Sequence, residues 1–238
     1  MFELFKMDNT LVNKKRLKHR NPGKYQEKFS IKKKENNVLI LHACKLLNAY
    51  YNNEGIIALI LDAEEMNTTN SLLRLESILK KIIIVENNKE TFDKMKEKII
   101  SNNLDKIELH KGKMDLYLEN DLNPEINVVY FDLNESFFSS KVSYGSDYAI
   151  NLFLRKSEVN QIVFAATFCL RSRNVGKYDL EEKKILLFLE KIFRVNGFKS
   201  KLLIRKKDMR YKGQKAHNKA LMFVLFFLDK YDDNNFDN

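Results

Sequence analysis

Ile56-Ile57-Ala58-Leu59-Ile60-Leu61-Asp62, followed after a helix-length interval by Lys81-Ile82-Ile83-Ile84-Val85-Glu86, decides the fold. Each is an unbroken apolar run that closes on a carboxylate. Runs of this length without polar alternation fit strands buried on both faces, as in a parallel sheet wrapped by helices. In such sheets the binding crevice lies outside the carboxyl ends of the strands. An acid at the tip of the second strand can there accept hydrogen bonds from ribose hydroxyls. The pattern therefore predicts a nucleotide-type site around Asp62 and Glu86.

Outward from this pair the alternation of elements continues. Upstream, Val38, Leu39, Leu41, Ala43, Leu46, Leu47 and Tyr50 recur at helical spacing and predict a helix over 38–51. Between the two runs, Thr68-Thr69-Asn70-Ser71 supplies good N-cap residues for a helix carrying Leu72, Leu73, Leu75, Ile78 and Leu79. Downstream come a Lys/Glu-rich helix over 89–101, a short strand over 107–110 before Gly112, and a helical turn over 115–118. A strand over 126–131 closes on Asp132, a helix covers 147–156 and a fifth strand covers 161–168. A long amphipathic helix over 180–195 stops at Asn196-Gly197. The ending discriminates among folds. Strands over 198–204 and 221–228, separated by turn residues, force an antiparallel pair at one end of an otherwise parallel sheet.

The chain has 238 residues, 44% of them hydrophobic, with only 2 Pro and 7 Gly, which predicts an ordered, element-rich domain. Residues 1–37 read as a basic N-terminal arm broken by Asn21-Pro22-Gly23, residues 38–230 as the folded domain, and residues 231–238 as a disordered acidic, Asn-rich tail. Cys44 and Cys169 form no CxxC or Cys/His pattern, so a reducing compartment is expected, without a disulfide framework or a metal site. The longest apolar run is too short to span a bilayer, and the first residues lack a signal-peptide block. An intracellular protein, cytoplasmic or nuclear and with no membrane partner, is the expectation.

The formal net charge is +10, which favours a polyanionic partner. A surplus of Lys, Asn and Ile also follows from AT-rich codon usage, so clustering carries the argument. Residues 14–34 hold a dense run of Lys and Arg against the single acid Glu27. A second basic group extends from Arg205 to Lys219. Nucleic acid, RNA ahead of DNA, is the expected partner. A protein partner or a second copy of the chain stays open.

This order of elements resembles the class I S-adenosylmethionine-dependent methyltransferases. The fold it implies is α/β: a Rossmann-like, seven-stranded, mostly parallel sheet with helices on both faces and a C-terminal antiparallel hairpin. The resemblance covers roughly residues 38–230. It rests on the strand-tip acids Asp62, Glu86 and Asp132, on Gly112 with Asp115 after the third strand, and on the closing hairpin. It implies S-adenosylmethionine as cofactor. Asp62, Ala63 and Glu64 would then lie beneath its methionine part, with Thr68 and Thr69 donating to its carboxylate. Glu86 would hold the ribose, Asn87 would lie beside the adenine, and Gly112, Lys113, Met114 and Asp115 would flank it. Asp132, Asn134 and Glu135 would line the place where methyl donor and acceptor meet. One motif departs: the turn Asp62-Ala63-Glu64-Glu65-Met66-Asn67 contains no glycine, where the family has a glycine-rich one.

Other chemistries find less support. No GxxxxGK[ST] occurs, which excludes a P-loop. The segment Asp132-Leu133-Asn134-Glu135, followed by Phe137 and Phe138, keeps the acid and aromatic of the Asp/Asn-Pro-Pro-aromatic turn of base amino-methylation but lacks its prolines. Cys169 lies at a strand end where a nucleophile would be useful, yet reads as a small buried hydrophobe. No Ser-His-Asp set or metal cluster is legible. Arg171, Arg173, Arg210 and Tyr211 would stand at the rim, the arginines for phosphates and the tyrosine for an unpaired base. The sequence thus predicts a methyltransferase acting on nucleic acid. Its rivals are a catalytically inactive module binding RNA or protein and a methyltransferase of small molecules or proteins.

Overall fold

The computed structural model describes residues 31–50, 55–132, 146–170, 178–212 and 220–231. Seven principal strands form one sheet: β1 (Ile56–Ile60), β2 (Leu79–Glu86), β3 (Ile107–Lys111), β4 (Val128–Asp132), β5 (Gln161–Leu170), β6 (Phe198–Leu202) and β8 (Ala220–Lys230). A three-residue strand, β7 (Arg210–Lys212), continues the edge of β8 that β6 begins. The order across the sheet is β3-β2-β1-β4-β5-β8-β6. The first five strands are mutually parallel, and β8 inserts antiparallel between β5 and β6. The expected antiparallel ending is present. The linker between its strands is more structured than the sequence indicated, since α7 (Lys206–Met209) and β7 occupy part of it.

Burial follows the apolar runs that identified the strands. All five residues of β1 are buried, and so are the last nine of β5. The edge strands differ: β6 buries Phe198 but exposes Lys199, Ser200 and Lys201. Register places Phe131, Phe164 and Phe226 on one face of the sheet, where Phe153 of α5 (Ser146–Lys156) and Phe193 of α6 (Tyr178–Val195) pack edge-on against them. Each fully buried phenylalanine contributes roughly 2 kcal/mol relative to exposure. The opposite face carries Tyr130, Asp132, Thr167 and Phe223, with the Tyr130 hydroxyl 3.1 Å from the Thr167 hydroxyl. Helix α1 (Ile31–Tyr50) packs against β5, β8 and α2 (Asn67–Leu73).

Three elements depart from expectation. The helix expected from residue 38 begins at Ile31, and its buried face is Lys33, Asn36, Asn37, Ile40, Ala43, Cys44 and Leu47. Val38, Leu46 and Tyr50, expected inside, are exposed. Polar residues on the buried side hid the true stripe. Helix α2 ends at Leu73, so Leu75 and Ile78 lie in the following turn and Leu79 opens β2. Residues 68–71 lie inside α2 and do not cap it. The cap position is Met66, which makes no side-chain cap bond. Helices α3 (Lys89–Ser101) and α4 (Met114–Asn120) stand where they were expected. Asn88 caps α3 by accepting from the Thr91 amide at 3.0 Å. The arm before residue 31 and the tail after residue 231 lie outside the described residues, and no described helix is long and apolar enough to cross a membrane.

Candidate functional site

The chain runs from β1 to β2 and β3 on one side of the sheet, then crosses back to place β4 on the other side of β1. The carboxyl ends of β1 and β4 are the switch point where ligands bind in such sheets. Asp62 follows β1, Glu86 ends β2 and Asp132 ends β4, so the three acids stand on three neighbouring strand tips. Gly112 follows β3, its amide donating to the Glu86 carbonyl at 3.0 Å.

Asp62 organises the turn after β1. Its Oδ1 accepts the Ala63 amide at 2.9 Å, and its Oδ2 accepts both the amide and the hydroxyl of Thr69, at 2.8 and 2.7 Å. The Thr68 hydroxyl donates to Asn37 Oδ1 at 3.3 Å. The hydroxyls that the resemblance assigned to a ligand carboxylate thus have partners within the protein. Glu64 turns outward: its carboxylate meets Lys94 of α3 at 3.1 Å, and its carbonyl accepts from Lys98 at 2.7 Å. That pairing offsets the negative charge which the glycine-free turn brings to the site.

The missing glycine leaves a conformational mark. Met66 has φ of +53°, the left-handed region where a side chain costs about 1 kcal/mol, and its side chain is buried in the core. Burial of the thioether holds the residue there. The turn thus keeps a left-handed residue without using glycine for it.

On the adenosine side the residues fit an adenosyl group. Burial pushes the Glu86 carboxyl above its ordinary value, and the Asn88 and Asn87 amides partly offset this. The Asn88 amide donates to Glu86 Oε1 at 2.5 Å. A carboxylate so placed gains from hydroxyl donors. A Cβ built on Gly112 would meet nothing within 4 Å, so the backbone beside Glu86 faces open space. Lys113 precedes α4, Met114 packs partly against the core, and Asp115 sits in the first turn of α4.

Asp132 is held from an unexpected direction. Lys33 of α1, 4% exposed, places its Nζ 2.5 Å from Asp132 Oδ2. Lys33, Asn36 and Asn37 escaped the sequence reading, because residues up to 37 read as an arm. Extending the stripe of Ile40, Ala43, Cys44 and Leu47 backwards at the same spacing would have reached all three.

The rim residues divide. Arg210 is committed to α6: its Nε lies 2.6 Å from Glu182 Oε1 and its Nη2 2.9 Å from Oε2, with a further bond to Asp179 and the Tyr178 ring 5.4 Å away. This makes it a clamp between β7 and α6 rather than an open cation. The side chain of Tyr211, and Asn134, Glu135, Arg171 and Arg173 altogether, lie outside the described residues. Among the described residues, no three His, Cys, Asp or Glu gather as metal ligands. Cys169 is buried at the end of β5, as expected of a packing residue.

No family model and no curated protein sequence matches the chain. Solved structures do. SMU.1697c of Streptococcus mutans, a candidate methyltransferase solved with S-adenosylhomocysteine, aligns at TM-score 0.51 and 16% identity over 85% of this chain and 99% of its own. TYW2 of M. jannaschii, solved with S-adenosylmethionine, aligns at TM-score 0.53 and 13% identity over 85% and 78%. PH1948 of Pyrococcus horikoshii, a candidate RNA methyltransferase, aligns at TM-score 0.51 and 18% identity over 82% and 81%. The chain has the Rossmann-like fold of the class I S-adenosylmethionine-dependent methyltransferases.

Proposed function

We propose that this protein is an S-adenosylmethionine-dependent methyltransferase acting on nucleic acid, RNA in preference to DNA. The observation that carries the reading is the convergence of Asp62, Glu86 and Asp132 on adjacent strand tips, with open backbone at Gly112 beside Glu86. Two structural neighbours hold an adenosyl ligand, and a third is a candidate RNA methyltransferase. Both facts agree with the proposal.

In this reading Glu86 accepts the ribose hydroxyls, while Asn87, Gly112, Lys113, Met114 and Asp115 enclose the adenine. Asp62 shapes the turn beneath the methionine part together with Ala63, Glu64, Thr68 and Thr69. When bound, the cofactor supplies a methyl group on a positively charged sulfur. The protein then mainly positions the acceptor and excludes water, contributions that need no covalent nucleophile. Asp132, steadied by Lys33, orients the acceptor, with Asn134 and Glu135 beside it. The net charge of +10 supports a phosphate-rich substrate, with Arg171 and Arg173 as phosphate contacts and Tyr211 as a stacking surface.

One observation favours a second reading, a catalytically silent RNA-binding module: Asp62 already occupies the Ala63 and Thr69 donors. Incubation with methyl-tritiated cofactor and total RNA separates the two. Methyl transfer requires label in RNA that falls at least about hundredfold in Asp132→Ala, as expected for loss of a group acting at the reacting centre. RNA binding without any label supports the silent module.

A further inference from the structure

Asp132, the residue assigned to the acceptor, is not open to one in this structure. Its Oδ2 is taken by the Lys33 ammonium at 2.5 Å, its Oδ1 is buried without a hydrogen bond, and the side chain is 17% exposed. The cover is α1. An acid so covered orients a substrate only after something moves, and the make-up of the helix shows which part lifts most easily.

Helix α1 has two unlike halves. From Ile40 onward its buried positions are apolar: Ile40, Ala43, Cys44 and Leu47. Before Ile40 they are polar: Lys33, Asn36 and Asn37. Among the described residues neither polar atom of the Asn36 side chain has a hydrogen-bond partner. Asn37 Oδ1 is met by the Thr68 hydroxyl at 3.3 Å, long for a bond between oxygens. Unpaired buried groups forfeit their hydration without return, so laying the first half onto the sheet costs free energy where the second half gains it. Lys33 on Asp132 is the contact that pins the polar half to β4. A segment poor in apolar contacts and anchored at one end opens locally before the fold as a whole does.

We infer that the first two turns of α1, residues 31–38, are an autoinhibitory lid: Lys33 latches them over Asp132 in the free protein, and they open as one unit to admit the acceptor. Opening breaks the ion pair, returns Asn36 and Asp132 Oδ1 to water or substrate, and leaves the apolar half of α1 docked. An incoming RNA favours the open state because only there can it reach Asp132 and the Lys33 ammonium, the ammonium serving a phosphate beside the already exposed Lys34. The inference rests on the proposed function only in taking Asp132 as the residue that meets the acceptor.

Val38 lies within these two turns and is 46% exposed, so comparing alanine with glycine there weakens the segment without touching a buried group. Val38→Gly should populate the open state about fivefold more than Val38→Ala, the difference between the two residues in a helix. Leu46, 48% exposed on the docked half, supplies the control pair Leu46→Ala and Leu46→Gly. Hydrogen exchange on the full chain is the first readout. The amides of 36–39 should share one opening equilibrium in the wild type, raised about fivefold in Val38→Gly over Val38→Ala and equal within the Leu46 pair. Methyl transfer from labelled cofactor into subsaturating total RNA is the second, and its initial rate should rise by the same factor between the Val38 variants. Protection that climbs residue by residue from the helix start is fraying and overturns the inference. So does protection of 36–39 as strong as that of 44–47, or a shift in exchange that leaves a measurable transfer unchanged. Transfer without a shared opening defeats the lid alone. A shared opening that follows the Val38 pair, in a protein that transfers no methyl group, defeats the methyltransferase reading alone.

Discussion

Lys33 has almost no contact with water, and Asp132 faces it at 2.5 Å. Removing Lys33 leaves the buried Asp132 carboxylate without its ammonium partner. Lys33→Met is therefore expected to destabilise the fold by roughly 3 kcal/mol, and Asp132→Asn should destabilise it too. The double variant should lose clearly less than the sum of the two, because both single changes remove the same contact. Urea denaturation of the four proteins measures this, and simple additivity would show that the contact carries no coupling. Glu86 makes the opposite kind of statement. Burial raises its pKa, so the folded state holds a proton more tightly than the unfolded chain. Stability from this group is greatest below the unfolded value and declines as pH rises through the raised folded value. Glu86→Gln should consequently melt higher than the wild type at neutral pH, with the gap closing on acidification towards pH ~4. The same variant should bind S-adenosylhomocysteine about tenfold more weakly, through loss of charge-assisted bonds to the ribose. A variant that is less stable and binds normally would place Glu86 in the scaffold. Burial also pushes the Cys44 thiol up to about 12, so in the native protein it should resist alkylation at neutral pH.

Elements join at a few positions where backbone comes close to backbone. Gly55, entering β1, has φ of +114°, and a Cβ there would lie 2.9 Å from the Ile78 carbonyl oxygen. Gly55→Ala should destabilise by about 2 kcal/mol in equilibrium unfolding, and a neutral effect would mean that the β1–β2 entry relaxes readily. Asn127 does a related task before β4, accepting from the Ile57 amide at 3.0 Å and donating to the Gly55 carbonyl at 2.8 Å. Arg210 fastens β7 to α6, so Arg210→Ala should loosen the β7 edge, visible as faster amide exchange there, while RNA affinity changes by less than about twofold. A large loss of RNA binding would restore it to the substrate rim. What was legible in the sequence follows from the same physics. Strands β1, β2, β4 and β5 announce themselves because burial on both faces demands continuous apolar runs. Helix α1 announced only its apolar half, because Lys33, Asn36 and Asn37 sit on its buried face for the sake of the strand tips rather than the core. The left-handed Met66 was equally hidden, since nothing in its identity signals a conformation that glycine usually adopts.

At the scale of the molecule, a parallel sheet with its switch point between β1 and β4 sets three carboxylates at one end of an apolar block. The acids Asp62, Glu86 and Asp132 were legible because strand-tip carboxylates punctuate the apolar runs. The partners that hold them were not, because Lys33 and Thr69 reach them through the tertiary fold. The net charge of +10 acts over the whole surface and predicts binding to RNA that is strongly salt-dependent. Affinity should drop at least about tenfold between ~0.05 and ~0.2 M salt, with log K linear in log salt. Salt-insensitive binding would assign the charge to composition rather than to recognition.

The rest depends on the open backbone at Gly112 beside Glu86 accepting an adenosyl group although the turn after β1 has no glycine. Isothermal titration of the full chain with S-adenosylhomocysteine tests it most directly. One saturable site per chain with micromolar affinity is expected, weakened at least about tenfold in Glu86→Ala. No heat and no thermal shift up to about 1 mM ligand, from protein that melts cooperatively, would contradict it.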